Sequence, residues 1–202
     1  MNNKKIFVTS TSLPPLEEVY NSLKLIWESK RVTNQGPFHE TFEKKLCEYL
    51  KVPHITLFNN ASLAILTALK ALNLTGEIIT TPFTFVATAN AITWAGLKPI
   101  FVDIEKDSCN INTNIIEKSI TKNTSAILAV NCYGNPCNIK NLEHLARKYN
   151  LKLIYDAAQS FGTKHQNYNI FCSGDLSIIS FHATKLFTTF EGGAVISSNL
   201  EL

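Results

Sequence analysis

Apolar positions along the chain alternate between two periods. Residues 16–28 (LEEVYNSLKLIWE) carry Leu16, Val19, Leu23, Ile26 and Trp27 at helical spacing. Residues 39–50 repeat the pattern with Phe42, Leu46 and Tyr49 on one face, after a loop at TNQGP (33–37). Pro53 closes this second helix. Residues 54–58 (HITLF) read as a short strand and Asn59-Asn60 as a turn. Residues 62–72 form a helix that is apolar nearly all round, which marks it as buried. From there the periods alternate, with strands over 77–81, 99–102, 125–130 and 152–155 and helices over 86–94, 113–119 and 141–149. After Asp156 the helices thin out, and 170–171, 176–180 and 194–197 read as short strands. The β-α-β-α order predicts an α/β fold with a mainly parallel central sheet and helices on both faces. The strands are unbroken apolar runs, as burial on both faces requires.

Composition fits this picture. Of 202 residues, 45% are hydrophobic and 17% charged, enough to bury a core and too ordered a balance for a disordered or low-complexity chain. The net charge of +3 is mild and no dense basic block is present, which argues against a nucleic-acid partner. No apolar run approaches the roughly 20 residues of a spanning helix. The opening MNNKKIFV lacks the apolar stretch and cleavage site of a signal peptide, so no membrane association and a cytoplasmic location are expected. Cys47, Cys109, Cys132, Cys137 and Cys172 are odd in number and irregular in spacing, which suits reduced thiols. With five scattered histidines, no metal site is expected.

Ligands of open α/β sheets bind beyond the carboxyl ends of the strands. No GxGxxG and no GxxxxGK[ST] stands there, which disfavours a dinucleotide site or a P-loop. Three other features do. Asn60-Ala61-Ser62-Leu63 sits at a strand-to-helix turn, where free N–H groups and a hydroxyl suit a phosphate; an ordinary N-cap would use the same residues. Asp156 follows an apolar strand in YDAAQS and could face a cleft or cap a helix. Lys185, in SFHATK, follows a strand amid few other charges. It could be a solvent-facing loop lysine or a desolvated amine nucleophile. Gly192-Gly193 just behind allows close backbone approach. Each signal is weak alone. A phosphate cradle, a carboxylate and an amine are together the protein groups that pyridoxal 5′-phosphate requires. Phe85, after another strand, could cover a ring face or pack in the core.

At these residues the sequence resembles the DegT/DnrJ/EryC1/StrS family of sugar aminotransferases. The matching segments are TNQGPFHETFE (33–43), NNASLAILTAL (59–69), TPFTFVATANAI (81–92), FVDIE (101–105), YGNPCN (133–138), IYDAAQSFG (154–162) and GDLSIISFHATKLFTTFEGGAV (174–195). The resemblance implies an aspartate-aminotransferase-like large domain (pyridoxal-phosphate fold type I). It implies that Lys185 bonds the cofactor, that Asp156 partners its ring nitrogen, and that Gln159 contacts its ring hydroxyl. Phe85 would stack on the ring, and Ser62, the Leu63 amide and Ser180 would hold the phosphate. Asn-Ala-Ser stands where the family often has Asn-Gly-Thr. Relatives with His at the lysine position are dehydratases; Lys185 favours transamination. The implied reaction passes an amino group, usually from glutamate, to a nucleotide-linked keto sugar. The segments look closest to enzymes acting on dTDP-4-keto-6-deoxy-glucose in O-antigen or other surface-glycan synthesis.

Family members run to nearly twice this length. Residues 1–202 are therefore expected to be the N-terminal part and most of the cofactor-binding large domain, with the C-terminal small domain missing. Full-length relatives imply a homodimer. An inactive truncated cofactor-binding remnant and a pyridoxal-phosphate-dependent sugar dehydratase are the alternatives. Ending directly after a strand predicts an exposed sheet edge and uncovered apolar surface.

Overall fold

The computed structural model describes residues 5–7, 9–165 and 169–199. Two helices, α1 (Leu16–Ser29) and α2 (Pro37–Leu50), precede strand β1 (His54–Phe58). There follow α3 (Ala61–Ala71), β2 (Glu77–Thr80), α4 (Val86–Trp94), β3 (Lys98–Phe101) and α5 (Thr113–Ile116). The chain continues through β4 (Thr124–Val130), α6 (Ile139–Tyr149), β5 (Lys152–Asp156), β6 (Leu176–Ser180) and β7 (Gly193–Ser197). All seven strands join one sheet in the order β1-β7-β6-β5-β4-β2-β3. The pairs from β3 to β6 are parallel, while β7 runs antiparallel to both β6 and β1. Reversing twice restores the direction, so β7 alone opposes the rest. The carboxyl ends of β1, β2, β4, β5 and β6 therefore share one edge with the amino end of β7.

The sheet has an apolar layer on each face. On one, Ile65, Leu69, Ile78, Ile92, Leu128, Ile154 and Ile178 bury α3 and α4. On the other, Leu46, Ile79, Ile127, Leu142, Leu145, Leu153 and Phe181 bury α2 and α6. Successive strand residues point to opposite faces, so Ile78 and Ile79 belong to different layers. This is the α/β architecture expected from the sequence.

Three expectations need correction. Residues 170–171 are not a strand. The Asn169 carboxamide donates to the Leu50 and Lys51 carbonyls, and its Oδ1 accepts the Phe171 N–H, which curls this segment into a turn on the end of α2. The burial of Ile170 and Phe171 gave them a strand-like pattern. The helix over 113–119 stops at Ile116 and tightens into a 3-10 turn over Glu117–Ser119. β7 is an inner strand, so the sheet edges are β1 and β3 rather than the strand nearest the chain's end. Helix α1 forms as expected but buries none of its residues; Trp27 is 81% exposed.

All five cysteines are free thiols. Burial pushes the Cys137 thiol up to about 12, so it is an inert core residue. Among the described residues no three His, Cys, Asp or Glu side chains cluster to hold a metal ion, and no helix is long and apolar enough to cross a membrane.

Candidate active site

A cavity of about 740 Å³ opens at the shared edge of the sheet. Ser62, Phe85, Asp156, Gln159, Ser180 and Lys185 all line it; Leu63 does not. Four separate chain segments thus converge where the topology places the carboxyl ends of the strands.

Asp156 ends β5 at only 5% exposure. Its Oδ2 accepts the Thr88 hydroxyl at 2.7 Å and its Oδ1 accepts the Ala158 N–H at 3.1 Å. Thr88 in turn lies 2.8 Å from the Thr84 hydroxyl, extending the chain of hydroxyls along the first turn of α4. Burial pushes the Asp156 carboxyl up. The Thr88 bond, the Ala158 bond and the Lys185 charge pull it back in part. Both hydrogen bonds come from neutral donors, and among the described residues no cation forms an ion pair with this carboxylate. A buried carboxylate so placed is stabilised by any cationic ligand group that reaches it. Thr84 and Thr88 were not singled out in the sequence. Their signal was the i, i+4 spacing at the start of α4 beside Phe85.

The turn at Asn60 is a capped helix start. Asn60 Oδ1 accepts the Leu63 N–H at 2.9 Å, so the amide assigned to the phosphate is engaged by the N-cap. Ser62 remains on the cavity wall. The turn packs against Gly193, where a Cβ would lie 2.5 Å from the Ala61 nitrogen and 2.7 Å from the Asn60 carbonyl carbon. Gly193 therefore serves close backbone approach, whereas Gly192 makes room for the Thr189 and Phe181 side chains.

Phe85 is the N-cap residue of α4 and is 72% exposed, so it faces the cavity mouth rather than the core. Lys185 is half-buried on the loop between β6 and β7. That loop is shaped by its own bonds, Lys185 N–H to the His182 carbonyl and Thr189 N–H to the Phe181 carbonyl. His182 Nε2 lies 3.4 Å from Glu191 Oε1. Phe187 anchors the loop, stacked on Phe161 with ring centroids 4.6 Å apart. Ser180, at the end of β6, accepts the His182 N–H at 3.3 Å. Among the described residues the Gln159 carboxamide donates no hydrogen bond to the protein. Its Oε1 accepts the Tyr133 N–H at 2.5 Å.

Residues 16–202 match the model of the DegT/DnrJ/EryC1/StrS aminotransferase family. The chain is 52% identical over 199 residues to a dTDP-4-amino-4,6-dideoxy-D-glucose transaminase of Shigella dysenteriae, covering 98% of this chain and 54% of that one. It is similar in fold to DesI, determined in the presence of its TDP-sugar product (TM-score 0.90, 32% identity, 96% of this chain and 48% of that one). It is also similar to NtdA of Bacillus subtilis with bound cofactor PMP (TM-score 0.87, 30% identity, all of this chain and 47% of that one). The chain spans about half the length of the curated relatives it matches. On this combined match of segments, fold and site, the chain belongs to the DegT/DnrJ/EryC1/StrS aminotransferase family.

Proposed function

We propose that the chain is the cofactor-binding part of a pyridoxal-phosphate-dependent aminotransferase that passes an amino group from glutamate to a nucleotide-linked keto sugar. The acceptor is dTDP-4-keto-6-deoxy-glucose, in keeping with the dTDP-4-amino-4,6-dideoxy-D-glucose transaminase of Shigella dysenteriae. The product serves surface-polysaccharide synthesis in the cytoplasm. Residues 1–202 supply the N-terminal part and most of the large domain, and the full-length form works as a homodimer. The exposed apolar side chains of Leu186 and Phe190, on the loop between β6 and β7, support a second subunit there.

The observation that carries this reading is the buried Asp156 carboxylate, bonded by neutral donors alone, in the same cavity as Lys185. The donor set fits the cofactor. Asp156 would hold a protonated ring nitrogen, which relieves its burial without an ion pair from the protein. Phe85 would cover one ring face. Ser62 and Ser180 would hold the phosphate at the start of α3, with hydroxyls at the positive end of a helix. Gln159 would donate its NH₂ to the ring oxygen. When bound, pyridoxal 5′-phosphate supplies an aldehyde that bonds amines and a cationic ring that takes up the electron pair of a broken C–H bond. Lys185 Nζ takes the proton from the α-carbon of the amino donor. In the second half it returns a proton to the sugar carbon that receives the nitrogen. Thr88 keeps the Asp156 carboxylate aimed into the cavity throughout.

The test is borohydride reduction of the 202-residue chain with added cofactor, followed by peptide mass analysis, with a nitrogen-15 transfer assay from glutamate to the keto sugar run on a full-length form that carries these residues. A reduced adduct on Lys185 and label in the sugar are expected. An adduct confined to other lysines, or none, overturns the reading.

A further inference from the structure

Tyr133 stands out among the residues of the cavity mouth. Its φ is +53° and ψ +24°, a left-handed conformation disfavoured for a residue with a Cβ. Its ring is 75% exposed, lines the cavity, and meets Phe83 edge-on with centroids 6.3 Å apart. Such a conformation persists only where its surroundings over-determine it, and outliers of this kind cluster at ligand-contacting positions.

The surroundings do determine it. The turns after β4 and β5 are joined by a set of bonds. Asn131 N–H donates to the Asp156 carbonyl at 3.0 Å, and Thr163 Oγ1 donates to the Gly134 carbonyl at 3.2 Å. Gly134 has a φ of +78°, and a Cβ there would lie 2.8 Å from the Gln159 carbonyl oxygen, so the backbones touch. Gln159 Oε1 completes the set by accepting the Tyr133 N–H. This last bond also fixes the carboxamide. A backbone N–H can be met only by the amide oxygen, so the NH₂ end is turned away from Tyr133.

We propose that Gln159 is a two-ended positioning residue, its oxygen holding Tyr133 in the left-handed turn while its NH₂ is presented to the cofactor's ring oxygen, and that Tyr133 is thereby set as a recognition residue for the sugar ring of the acceptor. The proposal rests on the aminotransferase reading and adds to it the residue that faces the acceptor. Tyr133 lines the same cavity as Lys185, and its N–H is bonded to the Gln159 side chain. The reacting sugar carbon must approach Lys185 there, while the nucleotide at the far end of the molecule lies further out. The apolar face of a hexose packs on such an exposed aromatic ring, and the edge-on Phe83 limits how that ring can turn.

Two measurements test it on the 202-residue chain loaded with pyridoxal phosphate. In amide hydrogen exchange, the Tyr133 amide is expected to be protected in the unchanged chain. Protection falls about tenfold or more in Gln159→Ala, at the ~1.4 kcal/mol that a lost bond of this kind represents. It persists in Gln159→Glu, which keeps an acceptor oxygen and loses the NH₂. Amides of α6 serve as the control for folding. In the second measurement, dTDP-glucose and dTDP are titrated separately. Tyr133→Ala is expected to weaken dTDP-glucose about tenfold and to leave dTDP and the borohydride adduct on Lys185 unchanged. Unchanged Tyr133 exchange in Gln159→Ala overturns the positioning role. Equal loss of dTDP and dTDP-glucose, or no binding of dTDP-glucose by the unchanged chain, overturns the recognition role. Absence of the Lys185 adduct in the unchanged chain overturns the cofactor reading instead.

Discussion

On the β4–β5 wall of the cavity, Asp156 is held by bonds that cross long stretches of sequence, from Thr88 and between the turns at Asn131 and Gln159. On the β6–β7 wall, the loop carrying Lys185 bonds mainly to itself. Phe187 in the aromatic cluster and the Thr11 hydroxyl, which donates to the Ala183 carbonyl, tie it to the body. One wall is therefore fixed by the fold before any ligand arrives. The other has the local freedom that an amine needs if it is to release one partner and take another. Substitutions on the first wall should change affinity and stability together; substitutions on the second should change chemistry with little change in stability.

The sharpest break is at Asp156. Asp156→Asn is expected to weaken the cofactor by about 100-fold or more, on the scale of ~3 kcal/mol for a buried charge left without its partner. The same variant should raise the thermal midpoint of the cofactor-free protein near neutral pH. A carboxyl whose folded pKa is raised by burial lowers stability as pH rises through the interval above its ordinary value, because the folded state holds the proton more tightly than the unfolded chain. The gap between the two proteins should close as pH falls to about 4. Calorimetry across pH, with and without cofactor, checks both parts.

Gly193→Ala comes next. The added methyl meets the Asn60–Ala61 backbone, which cannot swing aside like a side chain, so a loss of ~1–3 kcal/mol is expected in urea unfolding. Phosphate affinity should fall with it, because the same backbone starts α3. Thr88→Val keeps the shape and removes the hydroxyl from Asp156, at a cost of about 1 kcal/mol in cofactor binding, with Thr88→Ser restoring most of it. Titration by absorbance reads this directly. On the other wall, His182→Ala removes an exposed pair with Glu191, and the unfolding free energy should stay within ~0.5 kcal/mol. A larger loss would mean that the Lys185 loop is as firmly built as the opposite wall.

Much of the fold was legible because period and burial agree. Helix α4 and strands β1 and β6 fall where their patterns place them. The strands that deceived were those where burial came without pairing. Ile170 and Phe171 are apolar and buried, but Asn169 bends their backbone, and one polar side chain bonding across 118 residues to the end of α2 leaves no local trace. The site divided in the same way. Lys185, Asp156, Phe85 and Ser62 were visible as residue types at strand ends, Gln159 and Ser180 only through the family resemblance, and the cavity gathers all six. The Leu63 amide was assigned to the phosphate through the family resemblance, whereas the Asn60 side chain accepts it as an N-cap. Tyr133 and Thr88 stayed hidden because their importance lies in a backbone angle and a hydroxyl contact, neither of which has a residue pattern.

The lone reversed strand has a consequence for how the protein is made. Strand β1 has a single neighbour in the sheet, β7, and Phe58 meets Gly193. While the nascent chain leaves the ribosome, residues 54–58 have no edge to join until residues 193–197 emerge, so the turn at Asn60 is among the last pieces of the cavity to be locked in place. A newly made molecule thus acquires its carboxylate wall early and its phosphate-facing turn late, and a chaperone has reason to linger on the first strand of the sequence.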